Sequence, residues 1–507
     1  MKQPIEDVSD ASPVVRTETG ADGGQAEVIE LNKNFNTLST FSLAVSLMAT
    51  WEALCSTMGI GLAAGGAVSL VYGFLLSFIG NICTAMSLSE PASMFPNAGG
   101  QYYMISELSH FRSKALLSWY TGWISLVGWV ALTASAPFGA ANIIQGLITL
   151  NQPDYDPQRW QWFLIYLGIT LLAFAMNTWG AKVLPLLENI IMIFHVGFFF
   201  AILIACAALP KERQSAEFVF TYFSNGTGWD SNGVAWGIGM LTSAYIMVGY
   251  DSAAHMSEEM KNPRTGVPRA MIMSIVVNGI MGFAVLLAVL FGIGDFQAAV
   301  TSRTGFPIIE IFFQMTRGNA AAASAMSCTI VASASLATVG LIASTSRTLW
   351  SFARDGAPAY SRYLSRVSDQ HVPVHAVVVV TVIVILLGAL NIASTAAFNA
   401  VLSVTVVGLS LSYLIPIVAM LYRRIWTPKQ IQWGPWKMPQ ALGIVINVAS
   451  IVYILFLTCF LVLPATQPVT AQNMNYSSLI LGGVLILVTA DWIFRARKTY
   501  EGPVPMY

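Results

Sequence analysis

An all-α polytopic membrane protein of twelve spanning helices is the fold class this sequence predicts, on three observations. Nearly charge-free runs recur along its 507 residues, many of them about 20 residues long, as a helix crossing a hydrocarbon core of about 30 Å requires. Hydrophobic residues make up 55% of the chain and charged residues only 10%, against roughly 25% charge in soluble domains. Polar interruptions sit in two of the runs, five apart in order, as a five-plus-five inverted repeat would place them.

The elements follow in order. Residues 1–38 hold seven acidic side chains among Gly, Ala, Ser and Thr. Too few bulky apolar groups are present to offset the entropy of ordering, so this stretch reads as a disordered cytoplasmic tail. It lacks the basic region and short apolar core of a cleaved signal, which leaves targeting to the first span. Spans are expected at roughly 40–64, 67–88, 117–148, 160–177, 184–209, 233–256, 269–293, 319–346, 374–391, 396–421, 441–463 and 476–494. They form one membrane domain, 39–497, and a short cytoplasmic tail, 498–507, follows.

Charge orients the spans. With the N-terminus inside, twenty of the 25 Lys and Arg residues fall on the cytoplasmic side, and only Arg159, Lys211, Arg213, Arg303 and Arg317 fall outside. That is a strong positive-inside bias. The two Asn-x-Ser/Thr sequons, at Asn225 and Asn475, both lie in outer loops of this topology and are the expected N-glycosylation acceptors. They fit passage through the secretory pathway, with the plasma membrane as the expected destination and the vacuolar membrane as the alternative.

Several function classes drop out. Net charge is zero, which points to no nucleic acid or other strongly charged partner. Five cysteines fall in apolar runs without CxxC spacing and read as small core hydrophobes rather than disulfides or metal ligands. No lysine follows a glycine and no HExxH occurs, which removes a phosphate-loop ATPase and a zinc hydrolase. Only His371 and His375 share an i, i+4 spacing, beside prolines, where solvated loop residues are a simpler reading than a ligand pair. No cofactor, metal or catalytic constellation is expected.

Polar groups inside spanning helices are costly and mark function by default. The first interruption is ATWEALCSTMGIGLAAGG, Ala49 to Gly66, with Glu52 near mid-membrane and then Cys55, Ser56 and Thr57. The second, in the sixth span, runs through Thr242, Ser243 and Tyr245 to Val248-Gly249-Tyr250-Asp251. Unwinding there frees backbone N–H and C=O groups that a polar solute, ion or water must satisfy. Helix N-termini favour a carboxylate, and freed carbonyls favour an ammonium. Gly59, Gly61, Gly65 and Gly239 read equally well as close helix-packing positions.

Glu52 beside Trp51 suits an ammonium group, by ion pairing plus a cation–π attraction of about 2 kcal/mol when desolvated. The expected substrate-binding set is therefore Trp51, Glu52, Cys55, Ser56, Thr57, Tyr245, Val248, Gly249, Tyr250 and Asp251. Trp129 either completes the aromatic lining or packs. His255, one turn past the second interruption, is a lining candidate only. Glu258 and Glu259 end that span on the inner side, where one is expected to pair with a loop cation such as Arg264 in a cytoplasmic gate; exposed rim charges are the alternative.

Three cytoplasmic stretches then carry a resemblance. SEEMKNPRTGVPRAM (Ser257–Met271), SEPASMFPNAGGQYY (Ser89–Tyr103) and STSRTLWSFARDGAPA (Ser344–Ala359) resemble, in order, three inner-side signatures of the amino acid–polyamine–organocation (APC) superfamily. GYDSAAHMSEEMKNP is most similar to its fungal amino acid/choline branch, which includes GABA permeases and choline permeases. The resemblance spans about residues 39–497. It implies a leucine-transporter-type fold with broken helices 1 and 6, and secondary transport of small amino or quaternary-ammonium compounds in the bilayer, often with H+. It places the first break at about Glu52–Thr57, although Leu54-Cys55-Ser56-Thr57 departs from a common Gly-Ser-Gly pattern. It also aligns His195, six residues after Asn189, with a proton-linked lysine on helix 5 of some relatives. A free imidazole titrates near pH 6.5 and suits that role, and a satisfied core histidine is the alternative. Proton-coupled uptake is the expected activity; a non-transporting nutrient receptor on the same scaffold and a passive channel are its rivals.

Overall fold

The computed structural model describes residues 15–19, 25–29, 33–110, 112–368, 372–393 and 397–504. Within the 1–38 stretch expected to be disordered, two short strands, β1 (Val15–Thr19) and β2 (Gln25–Ile29), pair antiparallel and the first helix begins at Thr37; the remainder of residues 1–32, and His371, lie outside the described residues. The helices are α1 (Thr37–Met48), α2 (Thr50–Ala63), α3 (Gly66–Met94), α4 (Gln101–Leu108), α5 (Lys114–Asn151), α6 (Arg159–Trp179) and α7 (Leu184–Ala208). Next come α8 (Ala216–Thr221), α9 (Asn232–Tyr245), α10 (Ser252–His255), α11 (Pro263–Phe291), α12 (Phe296–Val300) and α13 (Pro307–Met315). The last are α14 (Ala320–Arg354), α15 (Ser361–Leu364), α16 (Val374–Ala393), α17 (Ala397–Trp426), α18 (Gln440–Phe460) and α19 (Ser477–Phe494).

The first helix starts earlier than expected because Asn36 caps it. The Asn36 side chain accepts from the Ser39 N–H at 2.8 Å, and the Ser39 hydroxyl oxygen accepts from the Asn36 N–H at 3.0 Å. That reciprocal pair satisfies two donors at the helix start.

Eleven segments among the described residues are long and apolar enough to cross a membrane, with α1 and α2 counted as one. The twelfth is the sixth segment in order, α9 plus α10. Neither half is long enough by itself, because residues 246–251 between them are not helical.

Packing repeats with a period of five segments. Segment 1 (α1/α2) meets segment 6 (α9/α10), α3 meets α11, α5 meets α14 and α6 meets α16. The α1–α7 contact has its counterpart in α9–α17, and the α5–α17 contact in α14–α7. Five is odd, so the second half enters the membrane from the opposite side to the first, and the repeat is inverted. Segments 1 and 3 are 78% buried whereas segment 12 is 17% buried, which puts the core around the two broken segments.

Cys55, Cys83 and Cys206 are buried as expected, but Cys328 and Cys459 are exposed. These two lie on the outward faces of α14 and α18, which in a bilayer meet lipid rather than protein.

Candidate functional site: two broken helices around a carboxylate

Both interruptions expected from the sequence are breaks, and the first sits elsewhere than expected. Ala49, with φ 43° and ψ 47°, ends α1 and begins α2. A left-handed non-glycine residue is uncommon and costs energy, so the surroundings must hold it. Glu52–Thr57, where the break was expected, is regular helix. Ser56 and Thr57 donate their hydroxyls back to the Ala53 carbonyl at 2.9 and 2.7 Å, a helix-interior habit of these residues. In segment 6 the break covers Ile246–Asp251 and includes the expected Val248–Asp251. Gly249 takes φ +101°, and a Cβ there would come within 2.7 Å of Leu47.

Side chains from neighbouring segments bond backbone carbonyls beside the breaks. The Thr50 hydroxyl donates to the Ile246 carbonyl at 2.8 Å, joining the two breaks, and the Asn278 amide on α11 donates to the Val45 carbonyl at 3.0 Å. The glycines left open by the sequence resolve as packing positions: Gly61 abuts Leu70, Gly239 abuts Ser69, and Gly59 abuts Pro307.

A cavity opens beside the breaks. Of the expected substrate-binding residues, Glu52, Ser56, Tyr245 and Val248 line it. Ser135 on α5, not expected from the sequence, joins them, with its hydroxyl 2.7 Å from the Tyr245 hydroxyl. The α14 wall is aliphatic, with Ile330, Ala334, Ala337 and Leu341, and no Lys or Arg among the described residues lines the space.

The other six stand behind this lining. Trp51 is buried with its ring 6.2 Å from that of His195, and Cys55 is buried on α2. Thr57 accepts the Thr242 hydroxyl on its carbonyl at 2.8 Å. Gly249 packs on Leu47, and Tyr250 is buried with its ring 5.6 Å from Tyr413.

Asp251, expected to face the solute opposite Glu52, is instead fully enclosed. Its carboxylate accepts from Gln101 Nε2 at 2.7 Å, Trp129 Nε1 at 3.1 Å and the Tyr413 hydroxyl at 2.7 Å. Trp129 is therefore an anchor for Asp251. His255, read as a lining candidate, brings Nε2 to 3.4 Å from Asp251 and Nδ1 to 2.8 Å from the Ala98 carbonyl.

Glu52 is placed differently. Its Oε1 lies 2.7 Å from His195 Nδ1 on α7, and Oε2 has no partner among the described residues. The other imidazole nitrogen, Nε2, lies 3.2 Å from Asn278 Oδ1. Because the Asn278 amide nitrogen donates to a carbonyl, its oxygen faces the ring, and an amide oxygen can only accept. His195 Nε2 therefore carries a hydrogen. A neutral imidazole would then turn a lone pair toward a carboxylate at 2.7 Å, so one further proton must lie between Glu52 and His195. Two residues that the sequence put in separate roles, solute and proton, form one unit.

Past the break in segment 6, Glu258 and Glu259 form ion pairs with partners other than the one named from the sequence. Arg354 makes a two-pronged contact to Glu258 at 2.6 and 2.9 Å, and the Ala98 N–H adds a third bond at 3.1 Å. Arg347 donates to Glu259 at 2.9 Å. Both arginines come from the inner end of α14, whereas Arg264 reaches the Met94 carbonyl at 3.3 Å. Phe35 exchanges backbone hydrogen bonds with Glu259 and Lys261. A second inner anchor, missed from the sequence, is the buried pair of Arg424 with Glu90, which also accepts the Met438 N–H at 2.8 Å. Next to Arg354, burial pushes the Asp355 carboxyl up to about 6 while the guanidinium pulls against it. Asp355 also accepts the Tyr102 hydroxyl at 2.8 Å.

The two sequons part company. Asn225 is exposed. Asn475 is buried, and its amide nitrogen donates to the Leu461 and Leu463 carbonyls at 2.7 and 3.1 Å and to Ser403 at 3.2 Å. That nitrogen is committed inside the fold and is not presented to a glycan, against the sequence expectation.

Comparison with known proteins agrees with this architecture. The family described as amino acid permease matches residues 35–486. The chain is 28% identical over 490 residues to the amino-acid permease BAT1 of Arabidopsis thaliana, covering 94% of each. It is 29% identical over 484 residues to the choline transporter of Saccharomyces cerevisiae, covering 95% of this chain and 84% of the yeast protein. Amino-acid permease 2 of Neurospora crassa is 30% identical over 479 residues, covering 93% of this chain and 86% of its own length. The chain is a multi-pass membrane protein of the amino acid permease family, within the APC superfamily.

Proposed function

We propose that this permease takes up small amino or quaternary-ammonium compounds, an amino acid, GABA, choline or ethanolamine, across the plasma membrane together with protons. The observation that carries this reading is the division of Glu52, which lines the cavity: one oxygen lies 2.7 Å from His195 Nδ1, and the other has no hydrogen-bond partner among the described residues. A solute ammonium at the second oxygen and a proton at the first meet on one carboxylate, so the charge state of Glu52 couples solute binding to proton binding. A buried carboxylate in a cavity that no described Lys or Arg lines favours an ammonium over a purely acidic solute. The first turn of α2, whose N–H groups have no acceptor within the helix, offers a complementary place for an amino acid carboxylate. The names of the relatives, amino-acid permease and choline transporter, both describe ammonium-bearing solutes.

The test is a competition panel of radiolabelled GABA, choline, ethanolamine and basic amino acids in a permease-deficient yeast expressing the chain, with the outer pH stepped. Saturable uptake of one class that rises as the outside is acidified is the expected result. Binding without accumulation would instead indicate a receptor, and non-saturating uptake that ignores the gradient a channel.

A further inference from the structure

Seven residues before His195, on the same face of α7, Glu188 is a second buried carboxyl. Seven residues are close to two helical turns, a rise of about 10 Å. Segment 1 runs alongside, so the two carboxyls flank the break at Ala49, with Glu52 on its outer side and Glu188 facing Ser46 on its inner side.

Glu188 has one side-chain hydrogen-bond partner among the described residues. The Ser46 hydroxyl lies 3.0 Å from Oε2, and Oε1 has no hydrogen-bond partner among the described residues. Gly340 on α14 leaves room for it, since a Cβ there would stand 3.2 Å from Oε1. Ser46 carries a single hydroxyl hydrogen, and the Ser42 carbonyl at 2.7 Å is its nearer acceptor. Glu188 Oε2, at 3.0 Å, therefore shares that one hydrogen with the Ser42 carbonyl and has no other hydrogen-bond donor among the described residues. An ionised carboxylate buried here would have no compensating charge.

The surrounding elements offer no counter-ion. α1 has no charged residue, and α14 contributes Arg347 and Arg354, which serve Glu259 and Glu258. On α11, Arg264 and Arg269 lie nine residues or more before Asn278, the residue that meets His195. The other ionisable groups near this face are His195 and Glu52 themselves; Lys182, just before α7, is exposed.

We propose that Glu188 is a second proton-binding site, which receives the proton shed by the Glu52–His195 pair and releases it to the cytoplasm. This rests on the proton-coupled reading given above. Glu188 first gives its hydrogen to inner water and becomes a carboxylate. That carboxylate takes the proton from the pair, leaving a neutral His195 and an ionised Glu52, and one proton has moved inward. A gap of about 10 Å, with buried Ile191 between, is too long for a single hop. The transfer therefore belongs to the inward-open arrangement, in which α1 carries Ser46 away from Glu188 and water enters.

The test uses the full chain in proteoliposomes, with Glu188→Gln as the variant. Infrared difference spectra should show a protonated-carboxyl C=O band in the wild type that this variant lacks. Accumulation of radiolabelled choline or GABA driven by an acid-outside gradient should fall to the equilibrated level, while counterflow exchange of the same solute persists. Persistence of either the band or the gradient-driven accumulation in the variant overturns the proposal. A wild type that exchanges solute but ignores the gradient overturns proton coupling itself, and this relay with it. Should Glu188→Gln not fold, Ser46→Ala removes the hydroxyl partner and must shift the same band; an unmoved band overturns the assignment.

Discussion

Each broken segment holds a carboxylate beside a histidine, Glu52 with His195 and Asp251 with His255, yet the two pairs are built for different work. Asp251 is satisfied by three neutral donors from α4, α5 and α17, and its histidine stands one turn along its own segment. Glu52 has only His195, from another segment, and one oxygen to spare at the cavity. Identical chemistry therefore yields a fully partnered anchor in one place and a carboxylate short of partners in the other. The number of competing donors decides which, because a buried carboxylate takes a proton or a cation only when its surroundings leave it short of partners.

The largest expected effect separates these roles. Glu52→Gln removes the charge from the cavity, and losing one partner of a buried charged contact costs about 2 kcal/mol or more, which is roughly thirtyfold in apparent affinity. Uptake should collapse while the yield of folded protein, read by size exclusion, stays near normal. Asp251→Asn should do the reverse. An amide nitrogen facing three donors leaves buried groups unpaired at a cost of about 1–3 kcal/mol, so thermal stability drops while the folded fraction retains pH-dependent uptake. Normal uptake by Glu52→Gln would break the comparison outright.

The histidines come next. His195→Gln keeps a hydrogen-bonding side chain but cannot hold the shared proton, so solute exchange should persist while its dependence on outer pH flattens. His255→Gln should leave the pH profile in place and lower stability by about 1 kcal/mol through the bond to Ala98. A flattened profile in His255→Gln would mean that the segment 6 pair titrates during transport too.

How much of this was legible is clearest at these pairs. Spans, topology and the existence of two breaks follow from runs of apolar residues and their polar interruptions. Position within the break does not, because Ala49 carries no glycine or proline signal and its left-handed backbone is imposed by packing. Glu52 and Tyr245 were readable as lining residues because polar groups at depth are expensive. Their partners were not: His195 stands 143 positions from Glu52, and only the resemblance drew attention to it. The glutamates pair with cations as expected, but the partner was misnamed, since Arg264 was chosen for nearness in sequence while α14 delivers Arg347 and Arg354 through space. Asn475 satisfies a motif on paper, but three acceptors inside the fold claim its nitrogen.

A third acid calibrates the pairs from outside the membrane. Asp355 titrates at about 6 in the folded chain, above its ordinary value of 3.8. The folded form thus binds this proton more tightly than the unfolded form, and the resulting stabilisation is fully present below pH 4 and lost as pH rises through 6. Acidifying from pH 7 to pH 5 should raise thermal stability by at most about 1.4 kcal/mol, and Asp355→Asn should remove that slope without moving the pH profile of uptake. If Asp355→Asn also moved the uptake profile, Asp355 and not the cavity pair would be sensing pH.

The smallest effect expected is also the finest probe of how the two breaks communicate. Thr50→Val keeps the shape of the side chain and deletes the hydroxyl that donates to the Ile246 carbonyl. That carbonyl ends α9 and takes no backbone N–H among the described residues, so losing its donor should cost about 1 kcal/mol. Thr242→Val deletes a similar bond, to the Thr57 carbonyl. Thr57 lies inside α2, however, and its carbonyl already accepts the helical bond from four residues ahead, so the cost should be smaller. Thermal unfolding of both variants ranks them, with Thr50→Val expected to be the less stable. Its pH-driven uptake should also slow, since the hydroxyl ties the segment holding Glu52 to the segment holding Asp251. Equal behaviour of the two threonines would mean that the breaks move independently, and that the Glu52 pair and the Asp251 pair are neighbours without being coupled.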